Sequence, residues 1–78
     1  MIDYTGNPPE HFFKMFFILI KTIMADIKEE VLANNGRVHL DYNSDHDIQI
    51  RAKSTNPETT MKMTIKLQGV MGKLVANN

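Results

Sequence analysis

The sequence contains no cysteine, which removes disulfides, a thiolate nucleophile and cysteine-based zinc sites from consideration. It has no excess of either charge: nine basic residues stand against nine acidic ones, for a formal net charge of zero. That balance argues against a strongly cationic nucleic-acid binder and leaves room only for local patches. It also lacks a long apolar run. The most apolar stretch, Phe12 to Ile27, is interrupted by Lys14 and Lys21, and its longest unbroken part, Met15 to Ile20, is six residues. A bilayer span needs about 20, so no membrane contact is expected. Asp3 and Glu10 precede that stretch where a secretory leader would be basic, and a cytoplasmic address is the expectation.

Catalytic signatures are missing as well. The four glycines, Gly6, Gly36, Gly69 and Gly72, match no nucleotide-binding fingerprint. Ser44 and Ser54 sit in turn-like segments without the flanking glycines of a nucleophile elbow. The paired carboxylates Glu29-Glu30 and Asp45/Asp47 fit solvated positions better than a cleft. No enzyme and no cofactor are expected. Asp41, Asn43, Asp45 and Asp47 alternate as oxygen ligands do at the start of a calcium loop. The match then fails, because His46 stands at the glycine position and Ala52 where a bidentate glutamate belongs. A zinc set of His39, Asp41 and His46 has no recurring precedent at that spacing. No metal site is expected.

What is present is a chain of 78 residues, 42% hydrophobic and 23% charged, the balance of a folded domain rather than a disordered segment. Residues 1–78 are expected to form a single small domain. Asn7-Pro8-Pro9-Glu10 carries a helix-start pattern: a capping side chain, proline at the first helical position, and an acid three residues after the cap. No proline or glycine follows until Asn34-Asn35-Gly36, a helix-stop pattern. One helix of roughly 26 residues, about 40 Å long, is predicted between them. Its core stripe is Phe12, Phe13, Phe16, Leu19, Ile20, Ile23, Met24, Ile27 and Val31, with Lys14, Lys21 and Lys28 on the far side.

Beyond Gly36 the apolar period becomes two. Val38, Leu40 and Tyr42 share a face, as do Ile48, Ile50 and Ala52, and Met61, Met63, Ile65 and Leu67. Polar loops separate these runs. The predicted fold class is α+β, a long amino-terminal helix packed on a three-stranded antiparallel β-meander in the order α-β-β-β. Gly69 to Val75 fits either a short fourth strand or a docking turn.

Two surfaces stand out in this reading. The amino-terminal half of the helix is apolar nearly all round, with Ile18 among the lysines and Met15 and Phe17 at the margins of the stripe. A 40 Å helix also overhangs strands of six to eight residues. Phe13, Met15, Phe17 and Ile18 are therefore the candidate interface, and a homodimer is the expected state. The strand residues facing away from the helix include Arg37, Arg51, Lys53, Lys62 and Lys66, a basic face without Phe, Tyr or Trp. The leading functional expectation is a non-enzymatic, homodimeric protein–protein interaction module of the inhibitor, antitoxin-like or adaptor kind, binding itself and another protein. The alternative is a nucleic-acid-associated dimer that binds phosphates through the basic open face.

Overall fold

A computed structural model describes residues 2–76. Its elements run β1 (Ile2–Gly6), α1 (Glu10–Ile23), a 3-10 turn (Ala25–Ile27), α2 (Lys28–Ala33), β2 (Arg37–Ser44), β3 (Asp47–Lys53) and α3 (Pro57–Ala76). The strands form a mixed sheet in the order β1-β2-β3. β1 lies parallel to β2, with Ile2 opposite Val38 and Tyr4 opposite Leu40. A parallel pair needs a long crossover, and α1 with α2 supplies it. β2 and β3 form an antiparallel hairpin, with Leu40 opposite Ile50. Val38, Leu40 and Tyr42 are buried, while Ile48, Ile50 and Ala52 pack on the core from the edge strand. Helices α1 and α3 both cover that face. The other face of the sheet is left open.

The long helix and the all-antiparallel meander of the sequence-based expectation are both corrected. Its start lies at Glu10, not Pro8, with Pro9 as the capping residue and no side-chain cap. Pro9 is the cause: a residue before proline is pushed out of the helical region, so Pro8 cannot be the first helical residue. The helix then ends at Ile23. The Thr22 hydroxyl donates back to the Ile18 carbonyl at 2.8 Å, a bond that loosens a helix locally, and the chain tightens into the 3-10 turn before α2. At 14 residues, α1 is about 21 Å long, no longer than the eight-residue β2 at about 26 Å, so its length requires no overhang. The stop at Asn34-Asn35-Gly36 holds. Asn35 takes the left-handed conformation, with φ of 51°, and Gly36 N–H donates to the Val31 carbonyl at 2.7 Å.

The segment read as a third strand of the meander, Met61 to Gln68, is helix, and α3 continues through the region read as a fourth strand or docking turn. Asn77 and Asn78 lie outside the described residues. Thr59, Met63, Leu67, Val70 and Leu74 are all buried at helical spacing, whereas Met61 and Ile65, the other members of the period-two set, are 58% and 61% exposed. Asn56 Oδ1 accepts from the Glu58 N–H at 2.9 Å, and Pro57 follows at the first helical position, where its missing donor costs nothing. The third strand is instead β1, drawn from residues 2–6. The glycine at its end, Gly6, has φ of +90° and approaches the Tyr42 carbonyl so closely that a Cβ would collide with it.

Candidate functional site

The four residues of the candidate interface separate onto different sides of α1. At about 100° per residue, Phe13 and Phe17 fall on the flank nearest β1. There Tyr4 sets its ring edge-on against Phe13, with centroids 4.9 Å apart, and Phe13 lies 5.4 Å from Phe17. Lys21 Nζ sits 5.6 Å above the Phe17 ring and closes the row. Tyr4 remains 53% exposed. Met15 lies on the opposite flank, packed against the core. Ile18, at the crest of α1, is 64% exposed, as its place among the lysines implied. The aromatic row therefore borders the free edge of β1, and Met15 and Ile18 are not part of it. Sequence reasoning missed Tyr4, whose alternation with Ile2 was the available signal.

The proposed basic face also divides. Lys62 pairs with Glu30 at 3.2 Å and Lys66 with Asp26 at 2.7 Å. Both lysines stand on α3 and tie it to α2 and the 3-10 turn, so neither belongs to the sheet. Lys66 holds the Asp26 carboxyl below its ordinary range by hydrogen bonding. Arg37, Arg51 and Lys53 do share the open face. Arg37 is directly opposite Lys53, and His39 opposite Arg51. Among the described residues no acidic side chain pairs with any of these three cations.

The middle of the open face carries a polar line across β1 and β2. His39 Nδ1 meets Asp3 Oδ1 at 2.6 Å, its Nε2 lies 3.3 Å from Thr5 Oγ1, and Thr5 donates to Asp41 Oδ1 at 2.9 Å. An aspartate, histidine and hydroxyl in sequence have the outline of a nucleophile relay. Here the hydroxyl proton is directed to Asp41 and away from His39, on an exposed sheet surface. The arrangement fastens the parallel strands to each other. In the β2–β3 hairpin, the Tyr42 hydroxyl donates to Asp45, which raises the Tyr42 pKa above its ordinary value. Asn43 donates to Asp47 at 3.2 Å. The alternating oxygen residues of this segment are thus spread over the hairpin: Asp41 takes Thr5, Asp45 takes Tyr42 and Asp47 takes Asn43.

An apolar hollow of about 480 Å³ opens between α1, α2 and the start of β1 and β2, lined by Ile2, Ile20, Met24, Val31 and Val38 with Lys21 and Lys28 at its rim. No helix among the described residues is long and apolar enough to cross a membrane. No family model matches the chain, and neither does any curated protein or solved structure with which it was compared.

Proposed function

We propose that the protein is a non-enzymatic, homodimeric protein–protein interaction module, with the free edge of β1 and the Tyr4–Phe13–Phe17 row as its contact surface. The observation that carries this reading is the row itself: three rings in edge-on and tilted contact along an unpaired sheet edge, with the outermost more than half exposed. An open edge offers unpaired backbone groups to another strand, and adjoining aromatic rings supply the apolar contact that such pairing needs. A second copy fits both. Antiparallel pairing about a two-fold axis at Tyr4 sets Tyr4 against its own symmetry mate and Asp3 against Thr5, so no like charges meet. The result is a continuous six-stranded sheet.

The inhibitor, antitoxin-like or adaptor class is the corresponding role, since the chain's other exposed features are surfaces rather than an enclosed cleft. Its lack of cysteine suits the reducing cytoplasm. Light scattering at micromolar concentration tests the dimer and should report about twice the 8.9 kDa chain mass. Tyr4→Arg and Phe17→Glu should each return a folded monomer, while Ile18→Lys leaves the dimer intact. A wild-type monomer overturns the reading. Dissociation by Ile18→Lys alone moves the contact to the crest of α1.

A further inference from the structure

We propose that Arg37, Lys53 and Arg51 form a binding site for the phosphate backbone of double-stranded nucleic acid. The inference does not depend on the dimer, because all three residues belong to the β2–β3 hairpin of one chain. Arg37 and Lys53 are directly opposite each other in the antiparallel register, and Arg51 lies two residues along β3 on the same face. Like charges directly opposite on adjacent strands repel and destabilise the pair. Three lysines on the helices are each matched by an acid: Lys14 by Glu10, Lys62 by Glu30 and Lys66 by Asp26. At one end of the open face the chain sets three cations together with no acid among them. Two aspartates of the same face hydrogen-bond within it, Asp3 to His39 and Asp41 to Thr5, and neither forms an ion pair with the three cations. An anion placed over the three would relieve the repulsion, and arginine's planar fork suits phosphate oxygens.

The surroundings select the form of that anion. The outward side chains of the sheet, Asp3, Thr5, Arg37, His39, Asp41, Gln49, Arg51 and Lys53, include no Phe, Tyr or Trp, and the His39 imidazole is held by Asp3 and Thr5, so unstacked bases find no broad platform. An acidic peptide would ordinarily add its backbone to a strand edge. The cations instead project from the open face of the sheet, Arg37 from the central strand β2 and Arg51 and Lys53 from the edge strand β3. What the site offers is charge contact alone on an exposed surface, which is how a duplex backbone is bound without regard to sequence.

The test is fluorescence anisotropy with a labelled DNA duplex of arbitrary sequence, its separated strand, and polyglutamate as a carboxylate polyanion. Three neutralised phosphates predict a log–log salt slope of about −2.7, or a loss of about 40-fold between roughly 50 and 200 mM salt. The double variant Arg37→Glu/Arg51→Glu should bind no duplex while keeping its circular dichroism spectrum. Lys14→Glu, a single charge reversal on the helical layer, should weaken binding less than about twofold. If the double reversal unfolds, Arg37→Gln/Arg51→Gln should flatten the salt slope by about two contacts. The proposal fails if the wild type binds no duplex at low salt, or if Lys14→Glu is as damaging as the double reversal. It also fails if the separated strand or polyglutamate binds more tightly than the duplex; the latter result assigns the site to an acidic protein.

Discussion

Lys66 on α3 holds Asp26 in the 3-10 turn through a 2.7 Å ion pair between residues 40 apart in sequence. The pair sits where the crossover bends from α1 into α2, so it fastens the bend to the last helix. It is also the main cause of the lowered Asp26 pKa. A carboxylate whose folded pKa lies below its unfolded value contributes stability above the unfolded value, near 3.8 for aspartate, and that contribution fades as the pH falls through the folded value. Denaturation midpoints measured from neutral pH down through the acid range should show Asp26→Asn less stable than wild type at neutral pH. The two should converge at the acid end. The gap should be small, because the aspartate is 67% exposed and solvent screens the pair.

Thr59 is expected to matter more than its surface chemistry suggests. It is fully buried at the start of α3, donates to Glu30 Oε1 at 3.2 Å and accepts from Asn34 Nδ2 at 3.2 Å. Thr59→Val keeps the shape and removes both bonds. Asn34 retains the Glu30 carbonyl and Glu30 retains Lys62, so neither partner is wholly stranded. The cost should fall near the lower end for a lost buried hydrogen bond, about 1 kcal/mol in urea denaturation.

Two glycines are expected to respond with opposite sign. A Cβ at Gly36 would come within 2.5 Å of Val31 Cγ1 and 3.0 Å of the Val31 carbonyl oxygen. Valine is stiff at χ1 and the carbonyl is part of the α2 stop, so neither gives way easily. Gly36→Ala should destabilise by about 1–3 kcal/mol, as overpacking does. Gly69 lies inside α3 with open space where its Cβ would be. Gly69→Ala should raise stability by about 0.5–1 kcal/mol, the helix preference of alanine over glycine. Thermal melts of the two variants against wild type check both. A destabilising Gly69→Ala would contradict the helical assignment of this segment.

Those two glycines also show what the sequence made legible. The core stripe of α1, the inward faces of β2 and β3 and the stop at Asn34-Asn35-Gly36 follow from local pattern, because a single neighbouring layer decides each. Met61 to Gln68 did not, because Met63 and Leu67 satisfy both a period of two and a period of 3.6. Extending the window to Val70 and Leu74 favours the helix, but Gly69 and Gly72 argue against one on propensity. The packing of α3 against α1 and β3 outweighs that penalty. β1 was obscure for a different reason. Five residues carry little periodic signal, and a parallel partner some 36 positions away leaves no hairpin turn to announce it. Among the site residues, alternation placed Arg37, Arg51 and Lys53 on the open face. Lys62 and Lys66 were assigned there only through the mistaken strand.

The last prediction sets two occurrences of one local pattern against each other. Asn-Pro occurs at Asn7-Pro8 and again at Asn56-Pro57, each ahead of a helix, with glutamate directly after the second and one residue later, beyond Pro9, after the first. At the second, the asparagine side chain accepts the Glu58 N–H at 2.9 Å, the Thr60 N–H reaches the Asn56 carbonyl at 3.0 Å, and the helix begins with Pro57. At the first, Pro9 forces Pro8 to stay extended. The first helical turn therefore closes from Phe13 N–H onto the Pro9 carbonyl at 3.0 Å, and Asn7 is left before the helix with no capping bond. Asn56→Ala should cost about 1 kcal/mol, the usual size of a lost cap, whereas Asn7→Ala should leave the urea midpoint unchanged. Pro9→Ala would relieve the restriction on Pro8 and let α1 extend backward by two residues, to begin at Pro8 with Asn7 as its cap. In that background Asn7→Ala should become destabilising by a similar amount. A double-mutant cycle between positions 7 and 9 measures this as a coupling energy of about 1 kcal/mol, and additivity within experimental error would mean that something other than Pro9 sets the start of the helix.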